Sequence, residues 1–372
     1  MILVLVILWV IFVAFLAWQL LRWLPAGMDK YNPLPYVIAL LPLAPFAIAA
    51  VLLVSFACYL AYSSAHSSAH FQFAQSCNLA QSYGYLCVAY AVLFLISLQS
   101  YMPYWVAKLR RVSKLQKFQK LRNAIEQNPT KEIRVMTLNC RYGKADASKI
   151  IEVAKKYHVN TLLLQELSDS LVKNLQNQGI NEIFPIYCVG AQSKHNNGGF
   201  NAIFTKYSAN STCNNCLKIE AASIPNISTC LYFDGIGKVE IHFVSAHPKS
   251  PMRSCAAWSE GIRALAKIKE DYANSKSDDS STLTIISGDL NSAVDHPSFR
   301  ALLKSGFTDA GISLGKCVRT WPTWLKWPNL TLDHVLFSAK NCTAEAVWQQ
   351  HVVIDGTDHL AYLCAIRIFQ SK

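Results

Sequence analysis

Polar and acidic residues stand at the ends of several apolar runs after residue 132 of this 372-residue chain. The run IRVMTLN closes on Asn139, and TLTIISGDLN closes on Asp289 and Asn291. One carboxylate in such a place is usually a turn or cap residue. Several such ends in one region indicate a common cause, and together they contribute Asn139, Glu166, His247, Asp289, Asn291, Asp333, His334, Asp358 and His359.

Strand ends bring residues that are distant in sequence to one rim of a sheet, so we expect these side chains to meet. An acidic rim repels itself unless a cation lies in it. Carboxylate and amide oxygens suit hard cations such as Mg²⁺ or Mn²⁺ better than thiols do. The pattern therefore predicts a divalent metal site.

In order and approximate spacing, these motifs resemble the endonuclease/exonuclease/phosphatase superfamily. That superfamily includes deoxyribonuclease-like enzymes, abasic-site endonucleases, inositol polyphosphate phosphatases and bacterial sphingomyelinases. The resemblance covers Ile133–Phe369 and rests on TLNCRYG, LLLQEL, SAHP, GDLN, LDH and TDH. The chain departs from the family pattern at Thr357, where serine is usual, and at Pro248, where an aliphatic residue is common. Both departures keep the reactive groups.

The resemblance implies that Glu166 is the principal ligand of Mg²⁺ or Mn²⁺. Asn139 and Asp358 would complete or support that metal site. The expected activity is the hydrolysis of a phosphate ester, which needs a cation to neutralise charge, an oriented water molecule and polar groups around the phosphate oxygens.

The same resemblance implies the catalytic roles. Asp289 would orient or deprotonate the attacking water, and Asn291 would hold a non-bridging phosphate oxygen. His359, steered by Asp333, would contact the phosphate together with His247 and stabilise the transition state. A neighbouring carboxylate can keep a histidine protonated near neutral pH.

The elements that position these residues begin at Ile133, where short β-rich runs alternate with helical stretches. Many strands with few helices, some of them joined by hairpin-like turns, predict an α/β sandwich of two sheets with helices outside. The resemblance implies a four-layer, deoxyribonuclease-like domain over residues 133–372.

The first third of the chain has a different composition. No Asp, Glu, Lys or Arg occurs from Tyr31 to Ala107, and the whole chain is 52% hydrophobic but only 16% charged. Apolar runs at about 1–21, 34–62 and 83–106 are long enough to cross a bilayer as helices. We therefore predict a bundle of three transmembrane helices within residues 1–107 and a multi-pass membrane protein.

Residues 108–132 are predicted to be a basic juxtamembrane helix and linker, with helical spacing of apolar residues over 106–127. Seven Lys and Arg residues lie between Lys108 and Arg122, where anionic lipid headgroups would attract them. The loop charges place the C-terminal domain inside. The apolar spans also look like those of membrane-anchored superfamily members from actinobacteria. That likeness would allow the C-terminal domain to lie outside.

Other features have simpler interpretations. The single motif Cys213-x-x-Cys216 is weak support for metal or redox chemistry. Asn201 is expected to have a structural role in a turn that leads into the next strand; a role as a site residue is the second interpretation. The tryptophans Trp321, Trp324 and Trp327 suit a lipid-facing or substrate-stacking loop as well as core packing. Surface or packing positions are expected for His158, His195, His242, His296 and His351.

The substrate class stays open at this level. A lipid headgroup, a nucleic acid or a small phosphate would each suit the motifs, and membrane lipids are the other expected partner. A nuclease is the alternative within the superfamily, and a catalytically silent binding module is the alternative outside it. The sequence indicates no protein partner.

Overall fold

The computed structural model describes residues 2–64, 73–112, 132–193, 198–269 and 280–370. The chain divides into two compact units. The first comprises Met1–Leu24 and Tyr36–Met102, and the second comprises Pro25–Pro35 and Pro103–Lys372. The short segment 25–35 therefore belongs to the second unit, although it connects two apolar helices of the first in sequence.

The first unit contains long apolar helices. They are Ile2–Leu20, Ala44–Ser64 and Phe73–Ser97, with a short helix over Leu34–Ala39. Three stretches are long and apolar enough to cross a membrane, namely Ile2–Trp23, Leu34–Ser64 and Leu79–Ser100. The prediction of three such helices is confirmed by length and composition.

The third apolar run ends earlier than the expected boundary at residue 106. A 3₁₀ turn over Leu98–Ser100 interrupts it, and residues 102–112 form a separate helix. Pro103 stands near the start of that helix, where a missing N–H removes no intrahelical bond. The rest of the helix predicted over 106–127 lies outside the described residues.

Hydrogen bonds between polar groups connect the helices of the first unit. The hydroxyl of Tyr90 donates to the Leu8 carbonyl oxygen at 2.7 Å. One guanidinium nitrogen of Arg22 donates to Gln19 Oε1 at 2.9 Å and to Ser100 Oγ at 3.1 Å. These bonds join the first and third apolar helices.

The second unit contains two six-stranded sheets. The first sheet has the order β11-β12-β1-β2-β4-β3, where the strands are β1 (Glu132–Asn139), β2 (Thr161–Leu167), β3 (Ile186–Val189), β4 (Phe200–Thr205), β11 (Cys342–Val353) and β12 (Leu360–Gln370). The second has the order β5-β6-β7-β8-β10-β9, with β5 (Ser211–Cys213), β6 (Asn226–Phe233), β7 (Gly237–Ser245), β8 (Ser281–Asp289), β9 (Thr308–Asp309) and β10 (Asp333–Lys340). β1 with β2 and β7 with β8 are parallel pairs, so each sheet is mixed.

Helices cover the outer face of each sheet. The first sheet packs against Ala147–Lys156, Asp169–Asn177 and Ile180–Ile183, and the second against Cys255–Ala264 and Pro297–Lys304. A short helix, Ala310–Ser313, follows β9. The predicted four-layer α/β sandwich is therefore confirmed.

Burial on both faces explains the continuous apolar runs of the central strands. In β2, Leu163 lies in the core between the sheets, whereas Leu162 and Leu164 face the helices. A strand covered on both sides loses the alternation of apolar and polar residues that a half-exposed strand shows.

One polar cluster interrupts the core between the sheets. Thr137 Oγ1 donates to Gln165 Oε1 at 3.1 Å, and Gln165 Nε2 donates to Ser245 Oγ at 2.9 Å. Thr137 and Gln165 belong to the first sheet and Ser245 to the second, so the bonds cross the sandwich. Buried hydrogen bonds of this kind are directional, and they fix how the strand ends of one sheet face those of the other.

A buried ion pair holds β9 to β10. Nδ1 of His334 lies 2.7 Å from Asp309 Oδ2, and Nε2 donates to the Ser292 carbonyl oxygen at 2.9 Å. Burial alone would lower the pKa of His334, but the hydrogen bond and charge of Asp309 raise that pKa above its ordinary value. Both ring nitrogens of His334 thus face acceptors, an arrangement that favours the doubly protonated ring.

This ion pair predicts a pH-dependent stability. Because the folded-state pKa lies above the ordinary value of about 6.5, the contribution of the pair is complete below about pH 6.5 and is lost as the pH rises through the raised pKa. Asp309→Asn keeps the oxygen that caps Ile312. It should lower the free energy of unfolding by about 3 kcal/mol at about pH 6, and by less at higher pH.

Chemical denaturation of the full chain in detergent at several pH values measures this difference. Asp234→Asn, in an exposed turn, is the control and should change stability little at any pH. A loss in Asp309→Asn that stayed constant from low to high pH would contradict the assignment of the charge to His334.

Candidate active site

Ends of strands from both sheets meet at one rim, and Asn139 connects them. Its Nδ2 donates to Glu166 Oε1 at 3.1 Å and to Asp289 Oδ2 at 3.0 Å, while its Oδ1 accepts from the Arg141 amide at 2.9 Å. Glu166 is the penultimate residue of β2 in the first sheet, and Asp289 ends β8 in the second. The amide of Asn139 therefore brings two carboxylates from different sheets to one place.

Glu166 occupies an unusual backbone conformation. Its φ of 51° lies in the left-handed region, and β2 shifts register against β4 between Leu164 and Leu167. Such strained residues are common at functional sites. The bulge turns the carboxylate to the rim, where Oε2 accepts from the Tyr142 amide at 3.0 Å.

A glycine segment passes close over Glu166. A Cβ built on Gly198, whose φ is 98°, would lie 2.6 Å from Cδ of Glu166. Only glycine leaves room for this approach. Burial raises the pKa of Glu166, and the negative charge of nearby Asp358 raises it further, whereas the donors Asn139 and Tyr142 lower it.

Asp289 is the centre of the titratable cluster. Its Oδ2 lies 3.6 Å from Nε2 of His247 and 3.6 Å from Nε2 of His359. Burial raises the pKa of Asp289, while the positive charge of His359 opposes that rise. A carboxyl with a raised pKa binds a proton more readily than an ordinary aspartate does.

The two histidines differ in protonation. Nδ1 of His359 lies 2.8 Å from Asp333 Oδ2. Burial lowers the pKa of His359, but Asp333 and Asp289 outweigh burial and raise the pKa to about 10. Burial also lowers the pKa of His247, and there the charge of Asp289 does not compensate. His359 is thus an imidazolium near neutral pH, whereas His247 is a neutral imidazole.

Asp333 begins β10 and pairs directly with Asp289 of β8. Burial alone would raise the pKa of Asp333, but the positive charge and hydrogen bond of His359 lower it below its ordinary value. Asp333 therefore stays ionised and holds the ring of His359 in place.

Asn291 lies two residues beyond Asp289. Its amide donates to Asp289 Oδ1 at 2.9 Å, and its φ of 49° is in the left-handed region. The side-chain nitrogen Nδ2 is buried and has no hydrogen-bond partner among the described residues. A buried amide group in this state costs free energy until an acceptor reaches it.

Asp358 lies at a more open part of the rim. Oδ2 accepts from Trp321 Nε1 at 3.1 Å, and Oδ1 lies 3.6 Å from Nε of Arg141. Thr357 fixes this segment, since its Oγ1 donates to the Asn139 carbonyl oxygen at 2.7 Å and accepts from the His359 amide at 3.2 Å.

Two groups of side chains have the chemistry of a cation site. Asp289, Asp333 and His359 offer ligand atoms within 4.8 Å of one another. Both ring nitrogens of His359 already face carboxylates, with Nδ1 2.8 Å from Asp333 Oδ2 and Nε2 3.6 Å from Asp289 Oδ2. The oxygen donors Glu166, Asn139 and Asp358 form the alternative group, and they suit a hard cation. The mutual repulsion of Glu166 and Asp358, which raises the pKa of Glu166, is the kind that a cation relieves.

Several functional contacts were not expected from the sequence. Thr320 Oγ1 accepts from the Asp333 amide at 3.2 Å, and Trp321 and Arg141 contact Asp358. Gln165 supports the rim from below. A polar residue at an inward position of an apolar strand was the signal available for Gln165, whereas no spacing pattern distinguishes Thr320 or Arg141.

Other residues considered from the sequence lie elsewhere. Asn201 is fully buried in β4 and donates to the Ser223 carbonyl oxygen at 2.9 Å. His242 lies beside Glu240 at 3.8 Å. Cys213 and Cys216 are not joined by a disulfide bond. His195, Asn196 and Asn197 lie outside the described residues.

The chain belongs to the Endonuclease/Exonuclease/phosphatase family, whose pattern matches residues 136–359. The predicted membership is therefore confirmed. Members of this superfamily typically hydrolyse phosphate esters, and they include phosphodiesterases, nucleases and sphingomyelinases. No curated protein matches the chain.

Several solved structures are similar to this chain at low identity. D. rerio TDP2, complexed with a single-strand DNA product, is 16% identical, with a TM-score of 0.51 over 63% of this chain and 99% of that chain. An endonuclease/exonuclease/phosphatase from Beutenbergia cavernae is 16% identical, with a TM-score of 0.45 over 64% of this chain and 72% of that chain. Sphingomyelinase C from Streptomyces griseocarneus is 13% identical, with a TM-score of 0.43 over 63% of this chain and 99% of that chain. At this identity the likeness concerns the fold alone.

Proposed function

We propose that this chain is a membrane-anchored phosphoesterase that hydrolyses a phosphodiester or phosphomonoester with water and a divalent cation, Mg²⁺ or Mn²⁺. The observation that supports this most is the surrounding of Asp289 by Asn139, His247 and His359 within 3.6 Å. This arrangement combines a proton acceptor with cationic and neutral hydrogen-bond donors, which is what attack of water on an anionic ester needs.

We assign the cation to Glu166, supported by Asn139 and Asp358. When bound, the cation supplies positive charge that neutralises the phosphate oxygens. The amide of Asn139 keeps the Glu166 carboxylate oriented, and the Tyr142 amide holds its second oxygen. The protein thereby fixes a ligand before the substrate arrives.

Asp289 is the proposed base. Its carboxylate receives hydrogen bonds from Asn139 and from the Asn291 amide, so its orientation is fixed. The raised pKa places Asp289 closer to neutral pH than an ordinary aspartate, and a base works best when its pKa is near the working pH. Asp289 would orient the attacking water and take its proton.

His359 and His247 are the proposed donors to the phosphate. The imidazolium of His359, held by Asp333, would stabilise the negative charge that develops on the phosphate oxygens in the transition state. Neutral His247 would donate one N–H bond. Asn291 would donate a hydrogen bond from Nδ2 to a non-bridging phosphate oxygen. The substrate would thus supply the acceptor that this nitrogen lacks among the described residues.

We further propose that the three apolar helices cross a membrane and anchor the enzyme. The substrate class remains a choice between a lipid headgroup, a nucleic acid and a small phosphate. A nuclease is the second candidate within the family. A catalytically silent binding module would show no turnover with any ester.

The first prediction concerns the proposed base and cationic donor. In the full chain in detergent with Mg²⁺ or Mn²⁺, Asp289→Ala and His359→Ala should each lower kcat for a chromogenic phosphodiester by roughly 10²–10⁴-fold, because proton transfer and charge stabilisation are lost. His351→Ala and Asp169→Asn alter exposed residues of the same types and serve as controls. Undiminished turnover in both site variants would overturn the assignment.

The second prediction concerns the cation. Removing divalent metal with a chelator should stop turnover, and adding Mg²⁺ or Mn²⁺ should restore it. Glu166→Gln should raise the metal concentration for half-maximal activity by at least about tenfold, and it should reduce the rise in thermal midpoint that the metal causes in the unchanged protein.

The same titration distinguishes the two possible cation sites. If Asp333→Asn abolishes the metal-dependent rise in thermal midpoint while Glu166→Gln leaves it intact, the cation belongs to Asp289, Asp333 and His359 instead. An unchanged response in Glu166→Gln is therefore the result that contradicts our assignment.

A further inference from the structure

Two tryptophans of the segment Trp321–Leu330, here called the tryptophan loop, point into solvent. Trp324 is 71% exposed and Trp327 is 52% exposed. Indole rings are among the largest apolar groups, and burying them is favourable. Core packing, one of the interpretations open from the sequence, does not describe these two residues.

The loop is held rigidly. Trp321 and Leu330 pair across its base through N–H···O=C bonds of 3.1 and 2.6 Å. Inside the loop, Asn329 Nδ2 donates to the carbonyl oxygens of Pro322 at 2.7 Å and Leu325 at 2.6 Å. The exposed indoles are thus presented by a fixed backbone.

The base of the loop is bonded to the site itself. Trp321 Nε1 donates to Asp358 Oδ2, and the Thr323 amide donates to the Asp358 carbonyl oxygen at 2.9 Å. The ring of Trp321 lies 6.5 Å from that of His359. The loop that carries the exposed indoles is therefore anchored at the reacting groups.

We propose that the tryptophan loop binds the apolar part of an amphiphile, and that the substrate is a phosphate ester carried on a lipid. This inference rests on the proposed function and names its substrate class. Indoles favour the interface between water and hydrocarbon. Lys326, exposed between the two tryptophans, adds the positive charge that attracts anionic headgroups.

Nucleic acid is the competing ligand. Single strands bind along a basic groove with aromatic side chains stacked between bases. The loop carries one lysine over ten residues, and its two exposed indoles are accompanied by the apolar Leu325. This composition matches a lipid surface better than a phosphodiester backbone with one charge at each nucleotide.

Two esters with the same leaving group test the proposal. Methyl p-nitrophenyl phosphate is soluble, whereas hexadecyl p-nitrophenyl phosphate enters mixed micelles. The Trp324→Ala, Trp327→Ala double variant of the full chain should lose about tenfold in kcat/KM for the hexadecyl ester, and it should stay within about twofold for the methyl ester. Tyr232→Ala, an equally exposed aromatic at 71%, is the matched control because it pairs with Lys238, at the opposite end of β7 from Ser245.

The outcomes separate the two proposals. Equal losses for both esters, or a loss for a single-stranded oligonucleotide with none for the hexadecyl ester, would overturn the lipid assignment. If the unchanged protein hydrolyses neither ester, the proposed function fails. Quenching of tryptophan fluorescence by brominated phosphatidylcholine in nanodiscs still tests whether the tryptophan loop contacts lipid. The double variant should then lose part of the quenching, and equal quenching in both proteins would contradict the proposal.

A second inference comes from the segment 25–35, here called the interhelix loop. Asp29 is fully buried in the second unit. Its Oδ1 accepts from Ser259 Oγ at 3.0 Å and Ser298 Oγ at 2.6 Å, and its Oδ2 accepts from the Ser298 amide at 2.8 Å. The carboxylate therefore joins the helices Cys255–Ala264 and Pro297–Lys304.

The interhelix loop also contacts the segment that follows the proposed base. Nε2 of His296 donates to the Pro35 carbonyl oxygen at 2.9 Å, while its Nδ1 accepts from the Ala293 amide at 2.8 Å. The ring of Trp258 packs edge-on against His296 at 4.9 Å, and its Nε1 donates to the Leu290 carbonyl oxygen at 3.2 Å. Leu290 stands between Asp289 and Asn291.

We infer that the interhelix loop positions the Asp289–Asn291 turn, with Asp29 and Trp258 as positioning residues. Asp29 fixes the two helices, and Trp258 and His296 connect them to the turn. This inference also rests on the proposed function. A shift of less than an ångström in a base or phosphate donor lowers kcat without necessarily changing substrate binding.

Variants of the full chain test this inference with the methyl ester. Asp29→Ala should lower kcat about tenfold with little change in KM, whereas Asp29→Asn should keep activity within about twofold, because the serine hydroxyls can accept from its amide. Trp258→Phe loses the bond to Leu290 and, because Trp258 is fully buried, it also lowers the thermal midpoint. In the folded protein it should lower kcat with little change in KM, and Met28→Ala in the same loop is the control.

A second readout does not depend on turnover. Hydrogen exchange of the peptide 287–296 should be faster in Asp29→Ala and in Trp258→Phe than in the unchanged protein. If Asp29→Ala does not fold, Trp258→Phe alone decides. Unchanged kcat for the folded protein together with unchanged exchange would show that the loop stabilises the fold without positioning the site.

Discussion

The site depends on the ionic interaction of the His359 imidazolium with Asp289 and Asp333. Asp289 and Asp333 are directly paired on adjacent strands, and both are buried. Two carboxylates so placed would repel each other in a medium of low dielectric. The imidazolium of His359 contacts both of them, so the ends of β8 and β10 can carry acidic side chains without separating. The positions of Asn139, His247 and Asn291 follow from that of Asp289.

Much of this arrangement was predictable from the sequence because strands end where polar residues begin. Asn139, Glu166 and Asp289 each close an apolar run, and the topology of the sandwich brings such ends together. The supporting contacts were less accessible. Thr320 and Arg141 stand in loops, where the backbone path decides the neighbours and no periodicity constrains them. The break of the third apolar helix before Pro103 shows the same limit, since hydropathy continued across it.

The sandwich combines an apolar core with a small number of directional bonds. Leu163 and its neighbours stabilise the sandwich by apolar burial. Apolar contacts are not directional, so they do not fix the position of one sheet along the other. Gln165 and Ser245 are specific, because their hydrogen bonds form in one register only. The core thus stabilises the unit as a whole, and the polar cluster sets the relative position of two sheets to the accuracy that a site shared between them needs.

The interhelix loop has a consequence for the order of assembly. Asp29 and Ser298 are 269 positions apart in the chain, so the ribosome makes the carboxylate long before it makes the groups that bind it. Contacts between such distant segments are costly to close and form late. During synthesis the interhelix loop is therefore made before any strand of the sandwich, and the partners of Asp29 are complete only after β8 has been made. The second unit is completed when an early loop docks onto helices that are made much later.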